Sequence, residues 1–164
     1  MPLTDAACLV GHDTWGDGRL GNAAGSPVIL NDFLLIQELA SLDRPALLGR
    51  LNALGDEAAA HLAGQLPAAL ANFAHVYVLV HVPPFREACW HEGRISDDDW
   101  LPFFTCRAVG DVLAAAMRQH PERRMTVLCG HTHSPGAAQV SPNLEVKTGA
   151  ARYGSPRVQE VLVV

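Results

Sequence analysis

Two short apolar segments that each end in histidine constrain the fold of this chain most strongly. Residues 76–80 and 125–129 are rich in β-branched side chains, which is typical of buried strands. His81 follows the first segment directly, and residues 130–133 (Gly-His-Thr-His) follow the second. With helical patterns between them, the two segments predict an α/β protein with a buried sheet.

The histidines are candidates for a metal site. Side chains two residues apart in an extended chain point to the same side, so His131 and His133 should leave the strand together. Ligands of open α/β sheets bind outside the carboxyl ends of the strands, and imidazole is a common ligand of zinc and iron. The sequence therefore predicts that His81, His131 and His133 gather at one rim of the sheet. The alternative is that they are hydrogen-bonded structural residues.

These residues resemble motifs of the calcineurin-like metallophosphoesterases. Residues 130–133 match the GHxH motif that closes these proteins, and His81 matches their lone strand-end histidine upstream. The resemblance implies the C-terminal half of a four-layer αββα metallophosphoesterase sandwich. It also implies two divalent metal ions (Mn, Fe, Zn or similar), with His81 and His131 on one ion and His133 on the other.

The family's N-terminal motifs are missing from the sequence. They are DxH, GDxxD and GNH followed by Asp or Glu, and they supply the bridging carboxylate and most other ligands. Residues 16–20 begin like GDxxD and residues 21–24 begin like GNHD, but apolar residues occupy the ligand positions. The first predicted strand, 6–10, starts almost at Met1, which agrees with a lost upstream half. We therefore expect a truncated or divergent member.

The resemblance implies a metal-dependent hydrolase that acts on phosphate mono- or diesters. Three neutral imidazoles do not balance two divalent ions, so we expect a partial site, weak metal affinity and little turnover by this chain alone. Two alternatives remain open. One is a non-catalytic remnant or subunit that needs a partner for the missing half, and the other is a single-metal, three-histidine hydrolase or lyase.

A glycine-rich loop, residues 11–26, carries the candidate substrate-binding residues. Some phosphoesterases of the family have an Asp-Gly-Trp-x-Asp-Gly-Arg stretch that residues 13–19 resemble. We predict that Arg19 or His12 contacts the phosphate, because a guanidinium matches phosphate oxygens. The alternative is a tight surface turn in which Asp17 and Arg19 pair in solvent.

Composition limits the partners and the location of the protein. The length of 164 residues predicts a single, partial phosphoesterase domain over 1–164. A net charge of −5 without a basic stripe argues against nucleic acid and anionic membranes. The cysteines form no CxxC pair and no signal peptide is evident, so we expect a cytoplasmic protein with reduced thiols. A missing half would expose apolar sheet surface, and we expect self-association through it.

Periodicity predicts the remaining elements. We expect helices over 32–42, from an Asp43 cap to about 66, and over 107–119, with a break or bend at Gly55 and Pro67. Residues 138–140 and 144–148 should form a hairpin, and 158–164 a closing strand. His91 and the aromatic residues of 90–104 have no spacing that marks them as site residues, and we assign the aromatics to packing over the sheet.

Overall fold

The computed structural model describes all 164 residues, which form seven strands and four helices. The strands are β1 (Ala7–His12), β2 (His75–Val80), β3 (Trp90–His91), β4 (Arg94–Ile95), β5 (Arg124–Cys129), β6 (Gly136–Ser141) and β7 (Leu144–Thr148). The helices are α1 (Asp32–Leu35), α2 (Arg44–Asn72), α3 (Leu101–Phe104) and α4 (Arg107–Gln119), with a short 3₁₀ turn at Arg86–Ala88.

Five strands form one mixed sheet in the order β1-β2-β5-β7-β6. Strands β1, β2, β5 and β7 are parallel, and the β6–β7 hairpin adds the single antiparallel pair. β3 and β4 form a separate two-stranded ribbon. The predicted α/β class is therefore confirmed. Because the four parallel strands run the same way, their carboxyl ends meet at one edge.

Helices α2 and α4 cover one face of this sheet. Alternate residues of β2 (Val76, Val78 and Val80) point to that face and are buried, as period-two alternation requires. They pack with buried residues of both helices, among them Leu62 and Leu113. This is the larger of the two apolar clusters, and it fixes the strands whose ends carry the histidines.

The opposite face of the sheet has no covering helix, because α1 and α3 belong to a second apolar cluster beside it. Leu79 on this face is 51% exposed. Leu128, its register partner on β5, is half-buried. Self-association through this face stays a prediction.

Local sequence signals gave several elements correctly. Helix α4 has the predicted bounds, and the Asp43 side chain caps α2 by accepting a hydrogen bond from the Ala46 N–H at 2.9 Å. The β6–β7 hairpin is also present. All four cysteines are buried as free thiols, and burial raises the pKa of Cys129 to about 12. None of the helices combines the length and the hydrophobicity needed to cross a bilayer.

Three predictions about the elements were wrong. The helix expected over 32–42 ends at Leu35, because Ile36 is extended (φ −84°, ψ 114°) and the turns after it bring Leu39 into the second cluster. Helix α2 continues through Gly55 and Pro67. Its buried stripe outweighs the one ladder hydrogen bond that a proline removes. Residues 158–164 form no strand. Side-chain contacts hold this segment against the sheet, such as the hydrogen bond that Lys147 donates to Glu160.

Candidate metal centre

His81 and His131 lie side by side at the carboxyl edge of the sheet. Their strands, β2 and β5, are parallel neighbours. The Gly130 N–H extends the pairing beyond β5 by donating to the His81 carbonyl at 2.9 Å. The two imidazoles then share a hydrogen bond, with His81 Nε2 and His131 Nδ1 3.0 Å apart, as the alternative of hydrogen-bonded histidines also expected.

A tight turn presents His131 to its partner. The Thr132 N–H donates to the Gly130 carbonyl at 2.8 Å, which closes a three-residue turn around His131. His131 has φ 67° and His133 has φ 60°, a left-handed conformation that residues other than glycine rarely adopt. Strained backbone of this kind occurs at functional sites more often than elsewhere.

The same turn leaves His133 out of the ring contact between His81 and His131, but His133 is near enough to help lower the pKa of both. The chain is not extended after β5, so the premise that residues two apart share a side was wrong here. The His133 ring lies against Tyr153, with centroids 4.9 Å apart, while the His131 ring contacts His81 at 4.9 Å. The metal role of His133 therefore stays a prediction without a second imidazole beside it.

Aromatic rings enclose the histidine pair. Trp15 stacks on His81 at 5.4 Å between centroids, and its edge faces His131 at 5.2 Å. Phe104 meets His131 edge to face at 5.2 Å. Thr14 Oγ1 accepts hydrogen bonds from the N–H groups of His81 (3.1 Å) and Val82 (3.3 Å). The loop after β1 thus holds the end of β2 in place.

Burial keeps both imidazoles neutral. Burial, followed by the neighbouring His81, lowers the pKa of His131 to about 4. Burial also lowers the pKa of His81, although the carboxylates of Asp32 and Asp13 act in the opposite direction. A neutral imidazole has one unprotonated ring nitrogen that can bind a metal, and an ion at this pair would replace the proton that His81 Nε2 and His131 Nδ1 share. His131 Nε2 is buried without a hydrogen bond of normal geometry, although the Phe103 carbonyl is close enough to oppose the lowering of the pKa.

The pair fits part of the coordination of one ion. Two nitrogens bonded to one metal at about 2.1 Å and at right angles are about 3.0 Å apart. No group of three or more His, Cys, Asp or Glu residues that could hold an ion is present in the structure. Two divalent ions require carboxylates to balance their charge, so the residues of this chain do not fit a complete two-metal centre.

Arg19 is engaged with helix α2 rather than free at the edge. Its guanidinium bonds Asp56 Oδ1 at 2.7 Å, Asp17 Oδ2 at 3.4 Å and the Asn52 carbonyl at 3.3 Å. The predicted contact with phosphate is untested, and these three acceptors would compete with it. The alternative of a solvent-exposed Asp17–Arg19 pair was wrong in one respect. Asp17 is completely buried, and its Oδ2 accepts from the Ala108 N–H at the start of α4 at 2.8 Å.

His12 ends β1 opposite Val80, and it lines one cavity of about 650 Å³ together with His81. Its ring contacts the His61 ring at 4.9 Å, and its Nδ1 is 3.3 Å from Asp13 Oδ1. It lines a cavity of about 380 Å³ that also contains Glu38 and Glu57. Carboxylates repel phosphate, so this cavity is a poor anion site, and the predicted phosphate role of His12 stays untested.

Sequence reasoning missed the walls of the site. His91 Nδ1 lies 3.3 Å from the Thr132 carbonyl, and its ring contacts Trp100 and Phe104 at 5.2 Å each. No spacing in the sequence marks His91, because β3 and the loops around it bring it to the turn. Trp15 lies in the glycine-rich loop, where we considered only the charged residues and His12. Its position three residues after His12, which ends β1, could have marked it as a site residue.

No protein-family model and no curated protein matches this chain. Among solved structures the chain is similar to a dimetal phosphatase from Danio rerio, with a TM-score of 0.40 and 16% identity. The similarity covers 58% of this chain, and the chain spans 26% of the length of that phosphatase.

Proposed function

We propose that this chain belongs to a metal-dependent phosphoesterase-type hydrolase and provides part of its metal site. The observation that carries the proposal is the 3.0 Å approach of His81 Nε2 to His131 Nδ1 at the ends of adjacent parallel strands. It occurs within residues 130–133, which resemble the GHxH motif. A divalent ion bound there polarises phosphate oxygens and makes bound water more acidic.

The surroundings of the pair support this role. Burial lowers the pKa of His131 to about 4, so the imidazole is neutral near pH 7, which is the form that binds a metal. Trp15 and Phe104 exclude water from one side of the imidazoles, which strengthens electrostatic interactions between the site and a phosphate. The bond from the His81 N–H to Thr14 fixes the position of the ligand.

The lack of a third ligand beside the histidine pair limits the metal affinity and the activity of the chain alone. Two neutral ligands bind a divalent ion weakly, and the carboxylates of a working site must come from another polypeptide segment. We therefore propose that this chain alone has weak metal affinity and little or no phosphodiesterase activity. The single-metal, three-histidine alternative has less support, because the three imidazoles form no cluster that could hold an ion.

Calorimetric titration with Mn²⁺ and Zn²⁺ tests the metal site. We expect one weakly bound ion, and a loss of affinity of at least about tenfold in His81→Ala and in His131→Ala. His120→Ala is the matched control, because His120 lies at the C-terminus of α4, at the opposite end of β5. Equal affinity in all four proteins would exclude the proposed site.

Two further measurements test the chemistry. Inorganic phosphate should bind more tightly with the metal than without it, and His131→Ala should remove that difference. If the metal does not change phosphate affinity, the phosphoesterase-type function is wrong. Bis-p-nitrophenyl phosphate should be hydrolysed slowly or not at all by the purified chain, so robust hydrolysis would contradict the partial site.

A further inference from the structure

We infer that the loop after β7 forms an anion pocket in which Arg152 and Arg157 bind a phosphate group. The pocket has a volume of about 430 Å³ and is lined by Arg152, Ser155, Arg157 and Gln159 together with neighbouring backbone. No Asp or Glu lines it. We call it the arginine pocket.

The charge of the arginine pocket is not neutralised within the chain. Neither arginine takes part in an ion pair or a side-chain hydrogen bond. The nearest acidic residue in sequence, Glu160, is occupied by Lys147 at 2.8 Å. In a protein with a net charge of −5, two unpaired arginines that line one cavity form a local site for an anion. Arginine matches phosphate oxygens because its donors form a planar fork.

Internal bonds hold the two arginines around the cavity. The Gln159 side chain accepts from the Ala150 N–H at 2.6 Å and donates to the Ala150 carbonyl, so it closes the loop like a staple. The Ser155 N–H donates to the Arg152 carbonyl at 3.1 Å, in a turn where Gly154 has φ 69°. A closed loop loses less conformational entropy when an anion binds than an open chain would.

Two contacts attach the arginine pocket to the turn that carries the candidate metal ligands. The Ala151 N–H donates to the His133 carbonyl at 3.3 Å, and the Tyr153 ring lies 4.9 Å from the His133 ring. His133 is two residues from His131. The two contacts place the arginine pocket on the His133 side of the turn, and the proposed ligand has a second phosphate group that extends from there toward His81 and His131. This assigns a substrate class, phosphate esters with a second phosphate group, and that step rests on the proposed function.

Calorimetry with inorganic pyrophosphate and inorganic phosphate, on the full chain without metal and in EDTA, tests the pocket. We expect the affinity for pyrophosphate to fall about fivefold for each arginine and about 25-fold in Arg152→Ala/Arg157→Ala. Added salt should weaken binding because the arginines are exposed. Arg118→Ala is the matched control: Arg118 is exposed, has no ion pair and lies on α4.

Three outcomes would overturn the arginine pocket: no binding of pyrophosphate by the wild-type chain, equal binding by the double alanine variant, or an equal loss in Arg118→Ala. Arg152→Lys/Arg157→Lys preserves the charge and should retain part of the affinity. It separates loss of the pocket from a general loss of structure, which circular dichroism also reports.

The two proposals fail separately. His81→Ala/His131→Ala should remove the part of pyrophosphate binding that depends on metal, and Arg152→Ala/Arg157→Ala should remove the part that does not. Binding through the arginines with no effect of metal would contradict the proposed function and leave the pocket standing. Metal binding at His81 and His131, with pyrophosphate affinity unchanged in the arginine variants, would support the proposed function and contradict the arginine pocket. If pyrophosphate gains no more from metal than phosphate does, the pocket binds a free phosphate and the assigned substrate class is wrong.

Discussion

The loop after β1 and the turn after β5 lie at the same edge of the sheet, on either side of the end of β2, yet their polar groups differ. In the first, buried Asp17 accepts hydrogen bonds from Ala108, from the Arg19 backbone and from the Arg19 guanidinium. In the second, His131 Nε2 is buried without a normal hydrogen bond. A buried charge whose hydrogen bonds are all made stabilises the fold, whereas a buried nitrogen without a normal hydrogen bond costs stability. The comparison predicts that substitution of Asp17 destabilises the protein, whereas substitution of His131 removes a loss of stability at low pH.

Removal of Asp17 should have the largest effect on stability. Asp17→Ala leaves the start of α4 and Arg19 without their shared buried acceptor, which costs about 4 kcal/mol. Asp56→Ala is the matched control, because Asp56 bonds the same guanidinium but is 67% exposed; it should cost less than about 1 kcal/mol. Urea denaturation measures both. Similar losses of unfolding free energy in the two variants would mean that the buried carboxylate of Asp17 does not stabilise the fold.

Acid should destabilise the metal-free protein through His131. Its pKa is about 4 when folded and 6.5 ordinarily, so the unfolded state binds more protons between these values. Stability is therefore full above about pH 7 and falls by about 3 kcal/mol as the pH drops toward 4. His131→Asn does not titrate and tolerates a positive φ, so its unfolding free energy should depend less on pH. Identical pH profiles for the two proteins, measured by urea denaturation, would contradict the burial of His131.

The close approach of Asp17 to helix α2 gives a smaller effect. A Cβ at Gly55 would lie 2.5 Å from Asp17 Cβ, so Gly55→Ala should cost about 2 kcal/mol by displacing the loop. Gly64→Ala on the same helix meets nothing within 4 Å and should stabilise the protein by up to about 1 kcal/mol. Thermal unfolding of both variants compares them, and a stabilising Gly55→Ala would contradict the tight packing of the loop.

Local signals in the sequence predicted most of the sheet and the partnership of His81 with His131. Capping by Asp43 and the apolar period of residues 107–119 depend only on residues close in sequence. The sequence therefore predicted the start of α2 and both ends of α4. The two histidines meet because parallel strands end at one edge, which the pattern of strands and helices already indicated.

The rest depended on contacts distant in sequence. Asp17 is buried because Ala108, 91 residues later, donates to it, and no local pattern marks such a contact. The prediction for His133 assumed an extended chain, whereas the hydrogen bond from Thr132 to Gly130 forces a turn there. The helix over 32–42 had the expected period, but tertiary packing of Leu39 ended it early.

The most direct test of the account is a crystal structure of the chain soaked with Mn²⁺, with the ion located by its anomalous scattering. The account predicts one peak about 2.1 Å from both His81 Nε2 and His131 Nδ1, with no bond to His133. No peak beside the pair, or an ion held by all three imidazoles, would contradict it.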